Sequence, residues 1–164
     1  MNATKITTQI SNEANLLNIK KWDYGASFSS DFSVQVDKGE AKQLKASQKQ
    51  VITLRVWNKL NLVGITTTSD LSETGIRKAL NQANIAANFG NKNEITDFSP
   101  LAKDPIQVKE TDKKSPLGIK KLLKILREAE LKLLDSHEAI KSIPYNGLSE
   151  SFYERIYANS DGAL

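Results

Sequence analysis

The sequence predicts an α+β fold in two layers, an antiparallel sheet meander with helices packed mainly on one face. Three observations carry this. Apolar residues alternate at period two in several runs, they recur every three or four positions in three other segments, and the strand-like runs follow one another through short turns. At 164 residues and 39% apolar composition, the chain is sized for a single domain, 1–164, with one core.

Ile6, Ile10, Ala14 and Leu17 place one apolar face on a helix over 5–19, and Lys20 and Lys21 suit its negative end. From Trp22 the period changes to two. Trp22, Tyr24, Ala26 and Phe28 alternate with polar or small neighbours, and the alternation resumes at Phe32, Val34 and Val36. Asp37-Lys38-Gly39-Glu40 is a tight turn, after which the chain returns through 41–47 as the second arm of a hairpin. Val51 to Trp57 and Leu62 to Thr68 are β-branched and aromatic runs separated by Asn58-Lys59-Leu60-Asn61, so four or five sequential strands are expected.

Ser72 and Glu73 mark a helix start, the first as a cap for orphan N–H groups and the second as a complement to the positive pole. Ile76, Ala79, Leu80, Ala83 and Ala87 then trace a narrow stripe of mostly small side chains, which lets a helix lie close on a sheet. Residues 91–115, with Pro100, Pro105 and a charged end, read as an internal surface linker. Ser115-Pro116 predicts the start of a helix that Ile119, Leu122, Leu123, Leu126, Ala129 and Leu133 carry to about Ser136. Two further strands, 139–145 and 152–158, are expected after it.

Several function classes are excluded by composition. Without cysteine there is no disulfide, thiolate nucleophile or cysteine-ligated metal, and a single histidine excludes imidazole pairs. The charge of +4, from 23 basic and 19 acidic residues, is too mild to concentrate a polyanion and argues against nucleic acid. Apolar runs fall short of the roughly 20 residues a membrane span needs, and residues 1–20 lack a secretory leader pattern, so a cytoplasmic protein is expected.

Candidate sites are few. His137-Glu138 invites comparison with zinc peptidases, but Lys141 and Ser142 stand where a second histidine would be needed, and a histidine at a helix end complements its negative pole. Lys120, Lys121 and Lys124 form a basic face that Glu128 and Glu130 follow without interleaved aromatics, the pattern of a solvated helix. Tyr145, Asn146, Gly147, Leu148 and Ser149 place an aromatic, a turn and a hydroxyl between two expected strands. There an exposed edge could take an extended peptide or a partner by strand addition, while the plainer reading of the same residues is an ordinary hairpin loop.

Three stretches resemble the amino-terminal domain of the TldD/PmbA family: Phe32 to Lys45, Ile52 to Ala87 and Tyr153 to Ala163. The run Thr67-Thr68-Ser69-Asp70-Leu71-Ser72 is nearer to the PmbA (TldE) type than to the TldD type. The resemblance implies a longer two-domain protein of which 1–164 lacks the carboxy-terminal domain, the turn at 159–162 leading into the missing part. It further implies a zinc metallopeptidase system in which a TldD-type subunit holds zinc and a PmbA-type subunit is its metal-free partner in a heterodimer acting on peptides. Members are also described as modulators of DNA gyrase. No residue here matches the family's zinc motif, so no catalytic, cofactor-binding or metal residue is carried over; zinc is expected only in the TldD-type catalytic domain. The expected partners are a TldD-type subunit, or a second copy of this chain, and a peptide substrate. The rival reading is a stand-alone binding module for an acidic protein or nucleic acid, resting on the +4 charge and the Lys120 to Lys124 face.

Overall fold

Helix α1 (Ala3–Leu16) opens where the Asn2 side chain accepts a hydrogen bond from Lys5 N–H, relieving one of the unpaired donors of the first turn. The structure, a computed structural model, describes residues 2–91, 97–103 and 115–164. After α1 come strands β1 (Lys21–Asp37), β2 (Glu40–Trp57) and β3 (Val63–Thr68), helices α2 (Glu73–Ala86) and α3 (Gly118–Asp135), and strand β4 (Gly147–Asn159). The strands form a four-stranded sheet in the order β3-β2-β1-β4. β2 and β3 pair antiparallel with Ile52 opposite Thr68 and Trp57 opposite Val63. The α+β sheet meander with helices expected from the sequence is the observed architecture.

The chain divides into two compact units, 1–28 with 50–109 and 155–164, and 29–49 with 110–154; β1, β2 and β4 contribute residues to both. In the first unit, Trp22, Tyr24 and Ala26 of β1 and Ile52, Leu54 and Val56 of β2 share a core with Ile6, Ile10 and Ala14 of α1 and Ile76, Leu80 and Ala83 of α2. Every second strand residue faces helices, the burial that the period-two pattern encodes. Ser72 caps α2 by accepting from Gly75 N–H at 3.1 Å, and the Asp70 carboxylate accepts from Ser72 N–H at 3.0 Å. Hydrogen bonding from the Ser72 side chain, and after it from the Ser72 backbone N–H, holds the Asp70 carboxyl below its ordinary range.

Tyr24 is fully buried in this core, with its hydroxyl 2.7 Å from the Thr7 hydroxyl. Burial raises its pKa above the ordinary 10.0 by disfavouring the phenolate, an effect the Thr7 bond partly opposes. An unfolded chain ionises tyrosine near pH 10, so this stabilisation is complete below about pH 10 and is lost as pH rises through the higher folded value. Tyr24→Phe should therefore flatten the fall in the urea midpoint between about pH 9 and pH 11. An unchanged slope in the variant would show that Tyr24 does not supply the alkaline loss.

In the second unit, Phe32, Val34 and Val36 of β1 and Leu148 of β4 pack with Ile119, Leu122, Leu123 and Leu126 of α3. The β1–β2 turn has positive φ at Lys38 (52°) and Gly39 (78°), the type I′ geometry that suits the twist of a two-residue hairpin. Glu130 of α3, 2% exposed, accepts from Lys38 N–H at 3.1 Å and Gly39 N–H at 2.7 Å, tying the turn to the helix. From Glu40 to Val51, β2 is exposed along its whole length.

The structure differs from expectation in three places. The segments at 22–28 and 32–36 are one strand, as are those at 41–47 and 51–57, because backbone pairing continues where the side-chain pattern lapses. Helix α3 begins at Gly118 instead of Pro116, and the Glu150 carboxylate, which accepts from Leu117 N–H at 2.8 Å, caps it in place of Ser115. Residues 139–145 form no strand, being irregular chain with a turn residue at 139 and a turn at 144–145. Pro144 has no N–H for a ladder, and Ile140 N–H is already bonded to His137 O at 3.0 Å. Of the expected linker at 91–115, residues 92–96 and 104–114 lie outside the described residues; within 97–103, Phe98 is buried against Trp57.

Candidate functional site

β4 is an edge strand, with β1 on its inner side. The five candidate residues sit where the chain enters it. Tyr145 is 97% exposed, and Asn146 accepts from Val36 N–H at 3.1 Å through its carbonyl, starting the pairing with β1. Gly147, Leu148 and Ser149 are the first residues of β4, with Leu148 turned into the α3 core and Ser149 exposed. The expectation of a loop between two strands is thus corrected: no strand precedes it, and the segment is the beginning of an edge. A cleft of about 350 Å³ adjoins it, lined by Gln35, Val36, Lys42, Pro144, Tyr145, Asn146 and Gly147. An edge offers main-chain donors and acceptors, while the cleft adds the Lys42 ammonium, the Gln35 amide and the Tyr145 ring.

Asp31 anchors the same stretch of β4. Its carboxylate accepts from Ser151 Oγ at 2.8 Å and from Tyr153 Oη and Ser47 Oγ at 3.4 Å each, joining β1 to hydroxyls of β4 and β2. Sequence reading missed this group because a lone aspartate in a strand has no local signature. Period-two spacing of Ser151 and Tyr153 shows that they share a face, but which partner strand carries the carboxylate is a matter of sheet order.

In the first unit, Asp23 of β1 is 2% exposed and accepts from Arg55 of β2 in a bidentate pair, Nε lying 2.8 Å from Oδ1. Tyr157 of β4 donates its hydroxyl to Oδ2 of the same carboxylate at 3.1 Å. The bond to Asp23 raises the Arg55 pKa, and burial raises that of Tyr157. Lys21 Nζ lies 5.1 Å from the ring centres of both Trp57 and Phe98 and bonds to Asp97 at 2.9 Å. These groups are paired with one another, which marks them as structural.

His137 Nδ1 accepts from Ala139 N–H at 3.0 Å, so the histidine closes a turn after α3. Among the described residues no three His, Cys, Asp or Glu side chains converge as a metal site would require. Lys124 on the basic face of α3 lies 3.9 Å from Glu128. No helix among the described residues is long and apolar enough to cross a membrane.

Residues 25–87 match the family model for the PmbA/TldA metallopeptidase domain 1. Over these residues the chain is similar to a PmbA/TldD-type first domain. This PmbA/TldD match includes the hairpin, β3 and α2, and thus two of the three stretches on which the resemblance rests. Solved structures with the same fold include a protein described as a modulator of a DNA gyrase from Thermotoga maritima, with 13% identity and TM-score 0.68 over 97% of this chain. TldE from Thermococcus kodakarensis aligns over 98% with 16% identity and TM-score 0.65. A further protein described as a modulator of DNA gyrase, from Bacteroides thetaiotaomicron, aligns over 94% with 17% identity and TM-score 0.56. The chain spans about a third of each of these proteins, 35%, 35% and 36% of their lengths. No curated protein matches it.

Proposed function

We propose that the chain is the non-catalytic amino-terminal domain of a TldD/PmbA-family metallopeptidase system, of the PmbA (TldE) type. Its role is to help enclose the peptide-processing chamber and to contact a TldD-type partner subunit in the cytoplasm. The observation that carries this reading is the first-domain match together with the likeness to TldE over almost the whole chain. Zinc and the reacting groups belong to the partner's catalytic domain.

The edge at β4 supplies the contact. An extended peptide or partner strand laid beside Tyr145, Asn146, Gly147, Leu148 and Ser149 would gain main-chain hydrogen bonds that do not depend on its side chains, with Tyr145 as the exposed anchor. Mixing this chain with a TldD-type subunit and measuring mass in solution tests the reading. A one-to-one complex is expected, weakened about tenfold or more by Tyr145→Ala. Absence of any complex at about 100 µM of each chain would refute the partnership.

A further inference from the structure

A second cleft, of about 690 Å³, lies in the first unit, where α1 and α2 end beside the β2–β3 turn. Asn18 and Lys20 line it after α1, Lys59 and Asn61 in the turn, and Asn84 and Asn88 on the last turn of α2 and just beyond. None of its lining residues carries a carboxylate. Lys21, also in the lining, is already paired with Asp97. The ammonium groups of Lys20 and Lys59 and the side-chain amides of Asn18, Asn61 and Asn84 form no hydrogen bond or ion pair among the described residues.

The carboxyl ends of helices favour cations, and lysines beside them ordinarily serve the negative poles. Here the protein's own donors already occupy the Glu13, Ala14 and Asn15 carbonyls of α1, the Ala83 and Ile85 carbonyls of α2 and that of Ala87 just beyond it. Leu17, Asn18 and Ile19 N–H bond to Glu13, Asn15 and Ala14 O at 3.1, 3.0 and 2.8 Å. At the other helix, Asn58 Nδ2 donates to Ala87 O at 3.3 Å and to the Asn88 side chain at 3.2 Å. Among the described residues, the charges of Lys20 and Lys59 are therefore left without a counter-charge.

We propose that this cleft binds the carboxylates of an acidic peptide segment. Two ammonium groups set the sign of the ligand, and a primary amide, which both donates and accepts, matches a peptide backbone as well as a carboxylate. Nucleic acid fits less well, because Trp57, the aromatic of the lining, is buried and offers no face for base stacking. Leu60, 72% exposed in the turn, gives an apolar contact beside the charges. The cleft's lining alone supports this site, which stands or falls independently of the TldD-type partnership.

The test is a titration of ¹⁵N-labelled chain with acetylated, amidated tetraglutamate, following the asparagine side-chain amides. Tetraglutamine, inorganic phosphate and oligothymidine serve as the other arms. Saturable shifts of the Asn18, Asn61 and Asn84 amides with tetraglutamate are expected. Lys20→Gln with Lys59→Gln should weaken binding about tenfold or more, and Lys120→Gln with Lys124→Gln should leave it unchanged. Salt sensitivity of the binding is a second readout, expected to be lost in the first pair and kept in the second. Absent shifts, equal shifts with tetraglutamine, or displacement by phosphate or oligothymidine at equal or lower concentration would each overturn the proposal.

Discussion

Gly64→Ala is expected to destabilise the first unit by about 3 kcal/mol, at the upper end of what one added methyl group costs in a packed interior. A Cβ at Gly64 would lie 1.9 Å from Ala83 O, 2.4 Å from Ala87 N and 2.9 Å from Ala83 C. All three are backbone atoms of α2 or of the residue following it, so no side-chain rotation relieves the contact. The helix must move by about the 1.5 Å that separates such a contact from an ordinary one, and Ile76, Ala79, Leu80 and Ala83 move with it out of a close-packed core. Gly147→Ala is the control, since its nearest neighbours would stand at 3.7 Å. Urea denaturation of both variants measures the difference. A loss below about 1 kcal/mol for Gly64→Ala would show that α2 slides on the sheet at little cost.

Asp23→Ala is expected to cost about 3 kcal/mol. Removing one member of a buried pair leaves the other without its counter-charge, and Tyr157 loses the acceptor for its hydroxyl. The Arg55 side chain retains 30% exposure, so water partly solvates the abandoned guanidinium and the loss belongs at the low end of the range for buried pairs. Asp23→Leu combined with Arg55→Leu should recover most of the stability, because the charge is then absent instead of unpaired. If the double variant is no more stable than Asp23→Ala, the pair acts through packing and not through charge.

Much of the fold was legible because its signals are local. Asn2 aside, the turn at Lys38-Gly39 and the Ser72 cap act within four residues of themselves, and both occur where the sequence places them. Periodicity identified the faces of α1, α2 and α3 and the core-facing residues of β1 and β2, since a residue's direction follows from its position in a regular element. The small-residue stripe of α2 was also readable. Its partner was not: Gly64 is one glycine among eight in the sequence until β3 is laid against Ala83 and Ala87.

The candidate site was legible as a segment and misread as a loop. Tyr145 to Ser149 could be singled out from an aromatic, a turn and a hydroxyl, but an edge is a property of strand order, and strand order arises from contacts distant in sequence. The amide-lined cleft shows the same limit, as its lysines and asparagines come from three separated stretches of the chain.

Residue type and short-range spacing were enough for the α+β class, the helix faces, the hairpin turn and the exclusion of cysteine chemistry. The folded chain was needed to show that 139–145 is not a strand, that Glu150 caps α3, that Glu130 holds the hairpin turn and that Asp23 is neutralised by Arg55. In each of the last three a carboxylate is satisfied by a partner that the fold brings close from between 32 and 92 positions away, and no local pattern carries that pairing.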